Sequence, residues 1–264
     1  MLIKLLKYDF KNLRTTIVPI YLCLVIFAVF DRIIHFFQKT DALSGIKVVE
    51  YMAKFTQVFL IVGLCSMFLI VLIMEVLYYK DNIMKDEGYL MHTLPIKPYQ
   101  LVASKLLSFL CYIIFSLIVC YFILALDYGN IRWYQKAYTN FLGFMSPSDA
   151  LIFCINMGIY VFIYLAFFIL MGYLAINIGY TLNGKMRPIA TVAVVMLFLT
   201  IGKCGELLLV YFLARAGYIN MDLETVPLEV FQTVIVSISS LYAVLSVLCY
   251  ALAVRWLGHH LNLD

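Results

Sequence analysis

Charge is scarce in this sequence, and its scarcity excludes most alternatives. Only 13% of residues are charged while 65% are hydrophobic, against about 25% and 45–50% in an ordinary water-soluble domain. A soluble globule of this length could not hide so much apolar surface, so the chain is an integral membrane protein. Cysteines are few and never paired in a C-x-x-C arrangement: Cys23, Cys65, Cys111, Cys120, Cys154, Cys204 and Cys249 all fall in or beside apolar runs. That distribution argues against a disulfide-stapled ectodomain and points to small packing residues. Catalytic signatures are missing too. There is no G-x-x-x-x-G-K-[ST] phosphate loop, no H-E-x-x-H, no G-x-S-x-G and no paired-glutamate motif on a span, so neither ATP hydrolysis by that loop nor intramembrane hydrolysis is expected of this chain alone. His259 and His260 are adjacent and would point to different faces of a helix, which makes a poor metal site; no metal or other cofactor is expected on the chain. Internal repeats, low-complexity tracts and linkers are likewise not seen.

What is present is a set of six long apolar runs, at about 17–37, 56–79, 105–126, 151–181, 189–213 and 234–257. A helix rises about 1.5 Å per residue and the hydrocarbon core is about 30 Å thick, so each can cross a bilayer. They are too long and too continuous for alternating barrel strands. The predicted fold is all-α, with six transmembrane helices in one membrane domain spanning 1–264. The first run lacks a small-residue cleavage site near Phe30-Asp31-Arg32 and is expected to stay in the mature protein.

Before that first span, Leu2, Ile3, Leu6, Phe10, Leu13 and Ile17 fall on one helical face and Lys4, Lys7, Lys11 and Arg14 on its neighbour. The spacing predicts an amphipathic helix over 1–16 lying in the interface, with Pro19 redirecting the chain into the membrane. A basic flank that merely sets topology is the alternative. With both termini cytoplasmic, eleven of the nineteen Lys and Arg residues fall inside and six outside, in keeping with the positive-inside bias. The net charge of +4 is accounted for by cations near anionic headgroups, without a nucleic-acid partner.

Ionisable residues within the spans are the candidate functional positions. Asp31 and His35 can pair at i, i+4, or snorkel to the outer interface; Glu75 sits near Tyr78, Tyr79 and Lys80 at the inner end of the second span. Lys203 and Glu206, at i, i+3 on the fifth span and beside Gly202 and Gly205, are expected to interact where the helix becomes irregular, as gating residues or as a self-neutralised pair.

The polar segment from Asp86 to Leu107, DEGYLMHTLPIKPYQLVASKLL, joins the second and third spans. Gly88 permits a reversal, Pro95 and Pro98 interrupt helix continuity, and Tyr89, Leu90 and Leu94 offer an apolar knob. An ordinary turn carrying topology-setting charges is the alternative. Together with the basic N-terminal segment and six spans without an ATP site, this loop resembles the permease subunits of type-2 ATP-binding-cassette (ABC) exporters, especially compact ones of Gram-positive bacteria; Glu87-Gly88-Tyr89-Leu90, Thr93-Leu94-Pro95 and Ser104-Lys105 carry the likeness. The resemblance implies a coupling loop at 80–104 in which Glu87, Gly88, Tyr89, Leu90, Leu94 and Pro95 dock on a separate nucleotide-binding ATPase subunit, with ATP and Mg held by that partner. It implies a second permease chain and a place in the bacterial cell membrane. It further implies that the second and fifth spans line the pathway, which here brings Phe59, Met67, Phe68, Met196 and Phe198 to a cargo that is hydrophobic or amphipathic: a peptide, drug or lipid. A membrane scaffold or sensor that recruits a cytoplasmic protein, and a secondary transporter, are the readings from other classes.

Overall fold

The computed structural model describes residues 2–39, 47–84, 97–127, 139, 147–182, 186–217 and 228–259. Among the described residues there are six long helices and no strand: α1 (Leu2–Lys39), α2 (Lys47–Met84), α3 (Pro98–Asp127), α4 (Pro147–Tyr180), α5 (Arg187–Arg215) and α6 (Leu228–His259). All six are long and apolar enough to cross a membrane. They outrun the apolar stretches that predicted them. At about 1.5 Å per residue, the 38 residues of α1 or α2 reach about 57 Å, so their polar ends extend past a core about 30 Å thick.

Three helices start where proline is tolerated: Pro98 opens α3, Pro147 opens α4, and a proline occupies the first turn of α5, where the missing N–H would have had no intrahelical partner. The end of α5 is closed by Gly217 at φ +81°, with the Ala216 amide donating to Phe212 O at 2.9 Å and the Gly217 amide to Ala214 O at 3.1 Å. Only glycine enters that left-handed conformation without cost.

The interfacial helix predicted over 1–16 is not a separate element. Residues 2–39 form one continuous helix with Pro19 inside it. Tertiary packing holds the segment in line: Leu5, Leu13 and Ile17 are buried, as is Asp9.

The chain divides into two compact units, 1–78 with 107–139 and 79–106 with 140–264. In the first unit, Ala28, Leu60, Leu64 and Ile123 form a core covered by Leu24, Val25, Phe27, Val119, Cys120 and Leu124. Hydroxyls tie the same helices together: Tyr21 Oη and Ser116 Oγ lie 2.6 Å apart, and Tyr112 donates to Phe10 O at 3.0 Å. In the second unit α4 packs against both α5 and α6. Phe167, Ile169 to Met171 and Tyr173 to Asn177 on α4 are buried, as expected of a helix that is apolar all round. By contrast only 6% of the apolar stretch of α5 is buried. Because 79–106 belongs to the second unit, α2 and α3 each begin or end their course there while their remaining lengths belong to the first.

Candidate functional site

The proposed docking residues Glu87, Gly88, Tyr89, Leu90, Leu94 and Pro95 lie outside the described residues. The helix ends that carry them are described, and both are fastened within the second unit. Tyr79, fully buried, donates to Asn177 Oδ1 at 3.0 Å and stacks on Tyr173 with centroids 3.8 Å apart and planes 11° from parallel. Asn177 Nδ2 in turn donates to Ala253 O on α6 at 3.1 Å. On the other flank, Tyr250 of α6 donates to Tyr99 O at 2.9 Å. Ser104, placed from sequence in the loop, and Lys105, placed at the start of the third span, are both buried on α3. A buried amide with both ends engaged is a costly group properly satisfied. Sequence reasoning named Tyr79 only as a neighbour of Glu75 and passed over Tyr173 and Asn177; the one available signal was a lone Asn in an otherwise apolar run.

Within the first unit the same ends of α1, α2 and α3 carry further buried polar groups. Glu75 is only 1% exposed and accepts from Ser108 at 3.2 Å, so it is enclosed by neighbouring helices. Asp9 is buried and accepts from Tyr78 at 3.0 Å. Both carboxylates are held inside because hydroxyls on neighbouring helices reach them.

The second candidate group lies on α5 and its neighbours. Lys203 Nζ meets Glu206 Oε2 at 2.8 Å, so the predicted pair forms. The predicted irregularity does not: α5 is helical without interruption from Arg187 to Arg215. The glycines serve packing instead. A Cβ on Gly202 would lie 3.4 Å from the Tyr242 ring, and one on Gly205 3.1 Å from Leu241, so they let α6 approach closely. Through that approach Tyr242 donates to Glu206 Oε1 at 2.5 Å. Tyr164 meets the Tyr242 ring edge-on at 5.0 Å and Phe167 packs at 5.1 Å. Tyr242 and Tyr164, 36 and 42 residues from Glu206, were invisible to spacing arguments.

The apolar pathway candidates separate. Phe59 is exposed, packs on Phe27 with centroids 5.0 Å apart, and helps line a shallow groove with Pro19, Ile20, Cys23, Leu24 and Ser66. Met196 is exposed, and Phe68 and Phe198 are half-buried. Met67 has no exposed surface; it is a core residue of the first unit and faces no pathway within it. On α1, Asp31 is fully buried and its Oδ2 lies 3.7 Å from His35 Nε2, so the two residues meet at the i, i+4 spacing, at a separation longer than a hydrogen bond. The cysteines are free, but only Cys249 is buried, whereas Cys23, Cys65, Cys154 and Cys204 are exposed, so those four are not core packing residues of this chain. Among the described residues no group of three or more His, Cys, Asp or Glu side chains is placed to hold a metal. No family model, curated protein or solved structure matches the chain.

Proposed function

We propose that this protein is the membrane-spanning permease subunit of an ABC exporter, supplying half of a translocation pathway for a hydrophobic or amphipathic cargo. ATP is hydrolysed by a separate subunit that engages Glu87 to Pro95, and two permease chains complete the pathway in a bacterial cell membrane with both termini cytoplasmic. The observation that carries the reading is the loop DEGYLMHTLP, with its glycine reversal, apolar knob and proline stop, joined directly to two spans. Supporting it, the helix ends beside the loop are tied to α4 and α6 by Tyr79–Asn177 and Tyr250–Tyr99. A loop displaced by a closing partner would therefore pull on packed helices instead of bending freely. The test is co-expression with an ATPase encoded in an adjacent reading frame: the two should co-purify, and the complex should hydrolyse ATP at a rate different from that of the isolated ATPase. Failure to form any complex would remove the reading.

One observation favours a secondary transporter as the second reading. Lys203 and Glu206 lie near the middle of their span, where ionisable residues in such transporters bind coupling ions or substrate. Transport into vesicles driven by an ion gradient without ATP would select it.

A further inference from the structure

Tyr160 and Tyr164 carry two hydroxyls to a depth where a bilayer offers them nothing. Tyr164 stands seventeen residues from Pro147 and sixteen from Tyr180, the ends of α4, about 26 Å and 24 Å along the axis, and Tyr160 is one turn nearer Pro147. That is mid-span, away from the interfacial level where tyrosine keeps its polar tip wet. Both side chains are half-buried, and their contacts are ring to ring: Tyr160 on Tyr164 with centroids 6.0 Å apart, Tyr164 edge-on to Tyr242 at 5.0 Å. Among the described residues neither hydroxyl has a hydrogen-bond partner.

On α5, which packs against α4, lies a third source of donors. Lys203 is sixteen residues from Arg187 and twelve from Arg215, so it shares the depth of the two tyrosines, and both lie within electrostatic reach of its ammonium. Of that ammonium's three N–H groups, one is engaged by Glu206 Oε2 at 2.8 Å; the Lys203 side chain is 60% exposed, against 18% for Glu206. The carboxylate is committed on both oxygens, since Oε1 accepts from Tyr242. Polar hydrogens on Lys203, Tyr160 and Tyr164 are left over, and no acceptor of this chain takes them.

A surplus of donors at mid-depth calls for an acceptor, and charge decides which kind. Lys203 and Glu206 already neutralise one another, so an anion would bring an uncompensated charge into a medium of low dielectric, and a cation would have to displace Lys203 from Glu206. An uncharged carbonyl brings no charge. It takes a charge-assisted bond from the ammonium, and in hydrocarbon it meets no competing donor.

We propose that Tyr160, Tyr164 and Lys203 form a binding site for the carbonyl or amide oxygen of an uncharged apolar molecule dissolved in the bilayer. Among the cargoes that the exporter reading admits, this favours capped or cyclic apolar peptides and neutral amide or ester lipids over acids and amines. As a cargo site it rests on that reading; occupancy of the site does not, and is measured on this chain alone.

The test titrates the full-length protein in a neutral detergent with hexadecanamide, hexadecanoic acid and hexadecylamine, which share a tail and differ in the head, and counts bound molecules by native mass spectrometry. The amide should bind saturably and about tenfold tighter than the acid or the amine, the ratio given by about 1.4 kcal/mol. Tyr160→Phe and Tyr164→Phe should each weaken amide binding by about threefold to tenfold. Because both rings remain and neither hydroxyl holds the fold, the thermal midpoints of these variants without probe should not fall below that of the wild type. Competition between hexadecanamide and N-acetyl-trileucine amide identifies the source of the carbonyl: either order of affinity supports the site, the peptide binding tighter if peptides fill it and the fatty amide if lipids do. Preference for the acid or the amine, amide binding that both phenylalanine variants leave unchanged, or a lowered midpoint in both would overturn the inference. None of these results bears on the docking of Glu87 to Pro95, so the exporter reading keeps its own test.

Discussion

Replacing Asn177 by leucine should loosen the second unit, and the structure says by how much. Asn177 has no exposed surface; its Oδ1 accepts from Tyr79 and its Nδ2 donates to Ala253 O. Leucine keeps the volume and removes both bonds. Interhelical hydrogen bonds in membranes average about 0.6 kcal/mol and reach about 1.7, so two amount to about 1–3 kcal/mol. The Ala253 carbonyl lies within α6 and keeps its helical partner, so most of the loss falls on the stranded Tyr79 hydroxyl. Tyr79→Phe should cost about half as much, because it removes one bond and keeps the ring on Tyr173. In the Asn177→Leu background, Tyr79→Phe should recover part of the loss, since it removes the stranded hydroxyl. The assay is a double-mutant cycle on unfolding free energy in a bilayer or micelle. Additive losses, with no coupling above about 0.3–0.5 kcal/mol, would refute the reasoning.

Three further expectations follow from named positions. Gly179→Ala places a Cβ 2.2 Å from Thr191 Oγ1 and 3.1 Å from the Arg187 carbonyl and should destabilise by about 1–3 kcal/mol. Gly158→Ala meets nothing within 4 Å and should be neutral or stabilising by up to about 1 kcal/mol; thermal midpoints in detergent compare them. Glu206→Gln should harm the protein more than Lys203→Met, since the first strands an ammonium at mid-depth, worth about 2.5–3.5 kcal/mol on insertion scales, whereas the second leaves Glu206 its bond from Tyr242. Expression, folding yield and transport of the two variants and their combination measure the difference, and the combination should be milder than the sum. Reporter fusions at residues 1 and 264 should both read cytoplasmic; either end outside would reverse the assignment of the 80–104 loop.

The six spans were legible because an apolar run of twenty or more residues has few ways to satisfy its backbone other than as a helix in lipid. The Lys203–Glu206 pair was legible because i, i+3 spacing on a helix is local geometry. What escaped was whatever depends on a distant residue. The amphipathic pattern of 1–16 is the same whether the helix turns at Pro19 or runs on, and the packing of Leu13 and Ile17 decides. The burial of Glu75 is not visible until Ser108, 33 residues later, is seen to reach it. Gly202 and Gly205 looked like a weakness in α5 because Tyr242 and Leu241, which fill the space they leave, lie on another helix. Met67 was placed on the pathway by the resemblance, and only the packed structure shows that it has no exposed surface.

The central claim, that the loop from Glu87 to Pro95 couples this chain to an ATPase, is tested most directly at Tyr89 and Leu90. With both replaced by alanine, the protein should insert and fold as wild type, while co-purification with the ATPase weakens, each anchor being worth on the order of 1–3 kcal/mol, or ATP hydrolysis continues without cargo transport. Wild-type assembly, hydrolysis and transport in the double variant would reduce the loop to a turn between two spans and contradict the account.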